Sequence, residues 1–271
     1  MKYKTKKALI LLMIAQLFAI ATSVLMYLYL HSTDIQSIIS GFNQTILTTI
    51  LTSGLISSIG GILLLTGAVL FFLGRKECNE KHQKFVLYAL IVFIITVLIL
   101  LISFTVSLSS SLLSSTEHTE LLNDAAYISD FLKKTLTTTA IISPLLAFLT
   151  GLIWIFALYH LQNKKGKIVL LFAFITMILF SLFTGFFSLS LLNDFIDSES
   201  FIISVSSAND FQGYINYLSV YEWIGSLGII NVIGTILVSF LLFIALYLAY
   251  KRIQSDNLHC DEYTGSTKKV D

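Results

Sequence analysis

Six long apolar stretches interrupt this chain, at about 8–30, 46–73, 85–113, 138–161, 168–192 and 224–250. Each exceeds the roughly 20 apolar residues that carry an α-helix across about 30 Å of hydrocarbon. Hydrocarbon offers no partner to a bare N–H or C=O, so a spanning segment must be a helix or part of a closed barrel. No stretch shows the roughly ten-residue alternation of a barrel strand. The pattern therefore predicts an all-α, polytopic membrane bundle of six transmembrane helices. Composition agrees, with 56% of residues hydrophobic and 12% charged, against roughly 25% charged in a soluble domain. The longer spans leave room for tilt or for protrusion into the interfaces.

Charge orients the bundle. If the two ends and every second connection share one side, that side carries 15 of the 17 Lys and Arg residues. Lys2, Lys4, Lys6 and Lys7 precede the first span, and Arg75, Lys76, Lys81 and Lys84 follow the second. Lys164, Lys165 and Lys167 join the fourth to the fifth, and Lys251, Arg252, Lys268 and Lys269 follow the sixth. The opposite side has Lys133 and Lys134 alone, against ten acids that include Glu117, Glu120, Asp194 and Asp210. Short basic connections stay in the cytoplasm. Both termini are thus expected there, in a multi-pass plasma-membrane protein whose net charge of +1 hides a strong transverse dipole. The polar tail, 253–271, is expected to be disordered. Scarce proline and an Ile/Leu/Lys-rich chain fit a low-GC bacterium.

The first span resembles a signal peptide in its basic start, but its apolar run is too long and no A-x-A-like site follows it. It is expected to remain as a helix. Cys78 and Cys260 both fall on the cytoplasmic side, where thiols stay reduced. His259-Cys260-Asp261-Glu262 holds ligand-type residues side by side rather than at zinc spacing, so no metal is expected. The even spans close alike, with Ala68-Val69-Leu70-Phe71, Ala157-Leu158-Tyr159 and Ala245-Leu246-Tyr247 before basic residues. Three copies of one hairpin would give that likeness. So would the ordinary aromatic belt.

Ionisable residues inside a bilayer usually mark function, and the middles of all six spans lack them. Glu222 and His160 lie near span edges, within reach of headgroups or water. What the spans hold instead is small and hydroxyl residues three and four apart, which share a helix face. Gln16, Ala19 and Ser23 do so on the first span, Ser53, Ser57 and Gly60 on the second, and Thr96, Ser103 and Ser107 on the third. Ser143, Ala147 and Gly151 follow on the fourth, and Gly228, Asn231, Thr235 and Ser239 on the sixth. Small residues allow close helix approach, and hydroxyls or amides bond across the contact. Bundle packing explains such faces. A polar pathway lined by Gln16, Ser57, Thr96, Ser103, Asn231 and Thr235 is the functional alternative.

Pro144, the one proline, removes the amide that would bond Ala140 and can bend the fourth helix. The segment 193–223 is acidic and aromatic. Its Tyr214, Tyr217 and Tyr221, with Glu222, could form one face of a surface helix, suited to a cationic peptide or another membrane subunit. Asn43-Gln44-Thr45 is a glycosylation sequon beside the second span. Nucleotide-binding, zincin and serine-hydrolase signatures are absent. Neither enzymatic activity, a cofactor nor a nucleic-acid partner is therefore expected. Three readings remain: a transport-associated membrane subunit with a small, hydroxyl-lined interior, a non-transporting accessory, sensor or immunity-type protein that binds its partner through 193–223 or its lipid-facing surfaces, and a membrane enzyme acting on lipids. The last is least favoured, because it would need a reactive cluster that the sequence does not show.

Overall fold

The computed structural model describes residues 3–32, 44–78, 80–117, 125–196 and 220–255. The 253–271 tail beyond Ser255, most of the 193–223 segment, Asn43 of the sequon and Cys260 lie outside the described residues. Six α-helices account for nearly everything described: α1 (Tyr3–Ser32), α2 (Gln44–Leu73), α3 (Glu80–Glu117), α4 (Ala125–Leu158), α5 (Lys164–Ile196) and α6 (Val220–Gln254). Each contains a segment long and apolar enough to cross a membrane, and these segments overlap the six expected spans. The helices outrun the apolar stretches, most of all α4, which starts at Ala125 rather than near 138. Polar residues at a span's edge continue a helix readily, because each added residue gains one backbone hydrogen bond.

By internal contacts the chain divides into two compact units. The first comprises Met1–Phe93, Thr150–Met177 and Val232–Asp271. It gathers the whole of α1 and α2, the start of α3, the end of α4, the start of α5 and the end of α6. One apolar core joins them, with Ala8, Leu9, Leu158, Leu161, Ala245, Leu246 and Ala249 fully buried. Large apolar side chains are also widely exposed: Phe186 is 71% exposed, Leu55 and Ile62 65%. Without water outside, exposed leucine costs nothing, so close packing rather than hydrophobic drive must hold the helices together.

Glycine supplies that closeness in α2. A Cβ on Gly67 would lie 2.9 Å from the Leu12 side chain and 3.3 Å from its amide nitrogen, and one on Gly60 would lie 3.0 Å from Phe18 Cβ. These glycines seat α2 against α1. A Cβ on Gly54 or Gly61 would meet nothing within 4 Å among the described residues, and both glycines are exposed. Small residues on α2 thus belong to two faces, one of which is the contact with α1.

The short connections of the first unit are tied by polar side chains. Glu77, in the 3-10 turn Arg75–Glu77, accepts the amides of Lys4 (3.3 Å) and Thr5 (3.1 Å). Those amides belong to the first turn of α1 and have no partner within their own helix. The Thr5 hydroxyl reaches both Glu77 Oε2 (3.0 Å) and the Gly74 carbonyl (3.2 Å). Between α4 and α5 the chain makes a second 3-10 turn, Tyr159–Leu161. Asn163 then caps α5 by accepting the Gly166 amide at 2.8 Å, the usual Asn N-cap geometry. Gln162, 1% exposed, donates from Nε2 to the Ala245 carbonyl at 2.7 Å, and its own carbonyl accepts Arg252 Nη1. One residue so fixes the α4–α5 connection to α6.

The second unit comprises Ile94–Leu149 and Ile178–Asn231. Pro144 lies inside α4, which continues on either side of it. Gly185 of α5 packs on the Ala140 carbonyl, which the proline deprives of its helical donor: a Cβ on Gly185 would sit 2.9 Å from that oxygen. Ser143 and Ser181 share a hydrogen bond of 2.9 Å. The proline is therefore part of a helix contact.

Candidate functional site

Depth along each helix, counted from the nearest basic residue, sorts the polar residues expected to line a pathway. At 1.5 Å per residue, Gln16 lies about 14 Å beyond Lys7, Thr96 about 18 Å beyond Lys84 and Ser239 about 18 Å before Lys251. Half of the hydrocarbon thickness is about 15 Å. All three are buried, at 4%, 7% and 5% exposure. Ser57 lies about 27 Å from Arg75, Thr235 about 24 Å and Asn231 about 30 Å from Lys251. Those three are exposed. Ser103, about 28 Å from Lys84, is half-buried and returns its hydroxyl to the Ile99 carbonyl at 2.8 Å.

The physical reason is the cost of an unsolvated amide or hydroxyl in hydrocarbon. Depth alone does not decide it, since Ser23, about 24 Å beyond Lys7, and Ser53, about 33 Å from Arg75, are buried as well. Of the residues read as a candidate polar pathway or packing face, Gln16 and Thr96 are buried, Ser103 is half-buried, and Ser57, Asn231 and Thr235 are exposed. Asn231, read from sequence as a deep carboxamide, lies a full hydrocarbon thickness from Lys251. Its Oδ1 accepts the Thr184 hydroxyl at 3.0 Å, and that hydroxyl also bonds the Phe180 carbonyl at 2.8 Å. The same pattern of Ser or Thr bonding back four residues recurs at Thr22 and Ser58. It lets a hydroxyl sit in hydrocarbon without a partner helix.

Tyr214 and Tyr217 of the expected outer partner surface lie outside the described residues, and Tyr221 and Glu222 fall in the first turn of α6. No group of three or more metal-ligating side chains occurs among the described residues.

Besides Thr5, two buried polar residues escaped the sequence reading. His82 is 1% exposed and meets the Phe71 ring edge-on at 5.6 Å. Gln162 is equally buried, and its Oε1 has no hydrogen-bond partner among the described residues. Both stand in short basic connections, where nothing in sequence separates a solvated residue from an enclosed one. His160, expected at an interface within reach of water, is half-buried and packs edge-on against Phe85 at 4.3 Å, with Nε2 enclosed. Lys167 covers the neighbouring Tyr159 ring at 4.1 Å. These contacts tie α3, α4 and α5 together at their basic ends.

No family model, curated protein or solved structure matches this chain. The class of the protein therefore rests on its six apolar helices, which are those of a multi-pass membrane protein.

Proposed function

We propose that this chain is a transport-associated membrane subunit, placed in the plasma membrane with both termini cytoplasmic. The observation that supports the reading is Gln16, a carboxamide buried to 4% exposure about halfway along its span. Leucine would pack there at no desolvation cost, so a retained amide is suited to contact a polar solute or the water that accompanies one. Ser239, buried at comparable depth on α6, is the second member of that lining. The basic-end core of fully buried Ala and Leu serves as the seal.

The test is cysteine accessibility. Gln16→Cys and Ser239→Cys are introduced separately into a Cys78→Ser/Cys260→Ser background and exposed, in intact cells and inverted vesicles, to a small charged methanethiosulfonate. Modification at both positions is the expected result. If both stay silent from either side, the polar interior is packing only. The reading then passes to a non-transporting accessory, sensor or immunity-type protein bound through 193–223, with Tyr214, Tyr217, Tyr221 and Glu222 as its contact surface.

A further inference from the structure

The turn between α2 and α3 borders a pocket of about 430 Å³ lined by Arg75, Glu80, Gln83, Lys84 and Leu87. Glu80, Gln83, Lys84 and Leu87 follow steps of three and four, hence lie along one face at the start of α3. Arg75 reaches the same space from the 3-10 turn. Its guanidinium rests 3.9 Å from the Phe72 ring centre, and Nη1 donates to the Phe72 carbonyl at 3.3 Å. That contact orients a group with five N–H donors and leaves others for a ligand. The pocket stands where polar turn gives way to apolar span. Glu80 and Lys84 are exposed, and Leu87, 45% exposed, begins the hydrocarbon-facing surface.

We infer that this pocket binds the headgroup of an ethanolamine-type phospholipid from the adjoining leaflet. The phosphate diester sits between Arg75 and Lys84, the ammonium on Glu80, and the first acyl methylenes on Leu87. Charge complementarity selects this occupant. Basic pockets at a membrane boundary hold lipid phosphates, but two cations beside a carboxylate match a phosphate with an attached ammonium better than a bare anion. A glycerol headgroup brings no positive charge to Glu80. A choline headgroup brings charge without an N–H to donate.

The experiment reads lipid adducts by native mass spectrometry after the full chain is equilibrated with equal amounts of ethanolamine, glycerol and choline phospholipids. The wild-type chain is expected to retain the ethanolamine lipid preferentially. Lys84→Gln should lower that retention several-fold, and Glu80→Gln should abolish the preference while keeping total phospholipid. Both side chains are exposed, and unchanged thermal melting confirms that the variants fold. Equal retention of the three headgroups by wild type overturns the inference, as does unchanged retention in Lys84→Gln or an intact preference in Glu80→Gln. Displacement of the adduct by inorganic phosphate overturns it too, since a free anion would then be the ligand.

Discussion

The two units hold their helices together by different means. In the first, long polar side chains reach backbone groups of other helices: Glu77 takes the α1 amides, and Gln162 takes the Ala245 carbonyl. In the second, the contacts are short, a Ser143–Ser181 hydroxyl pair, the Thr184–Asn231 bond and the seat of Gly185 on the Ala140 carbonyl. The difference follows from position in sequence. The first unit contains the basic connections, where a charged side chain is near water before it commits to a partner. The second is built from span interiors and the opposite ends, where a hydroxyl that can bond its own helix is the least costly polar group.

That contrast predicts a ranked series of losses, each measured as a change in unfolding free energy in mixed micelles. Gly67→Leu should be the worst, at about 3 kcal/mol, because its side chain would drive α1 away from α2. Gly61→Leu on the open face of the same helix should stay within about 0.5 kcal/mol. Equal losses would break the assignment of the two faces. Glu77→Ala comes next, at about 2 kcal/mol, the scale of a lost charge-assisted bond set. If the loss instead matches that of a single hydroxyl pair, the first unit is not held by its polar clamps. Gly185→Ala should cost about 1 kcal/mol through contact with a backbone oxygen that cannot rotate aside. Ser181→Ala should be mildest, at about 0.6 kcal/mol, the typical worth of a hydrogen bond between membrane helices. A Ser181→Ala loss larger than that of Glu77→Ala would invert the comparison altogether.

Much of the architecture was legible because the bilayer criterion is simple. Length and apolarity alone define a span, and all six were found where expected. Faces were harder to read. Ser53 and Gly60 are buried as a shared stripe implies, but Ser57, on that same stripe, is exposed. In a soluble helix the apolar side marks the interior. Here both sides are apolar, so periodicity loses its usual contrast, and small residues suit a helix contact and a lipid-facing surface equally. Pro144 was recognised as a source of a freed carbonyl at Ala140. That Gly185 of α5 would occupy the space beside it depends on a register between helices some forty residues apart. The outer aromatic surface at Tyr214 and Tyr217 stays a reading of sequence.

By itself, the sequence determined six spanning helices and the sorting of positive charge to alternate connections, since both follow from solvation free energies that each segment meets alone. Only the tertiary structure decided which polar residues are enclosed. His82 and Gln162 sit in connections that looked solvated and are buried, whereas Asn231 sits in a span and is exposed. Enclosure is a property of neighbours. Whether a carboxamide meets lipid, water or a carbonyl is set by the helices around it, and their register is written in no single segment.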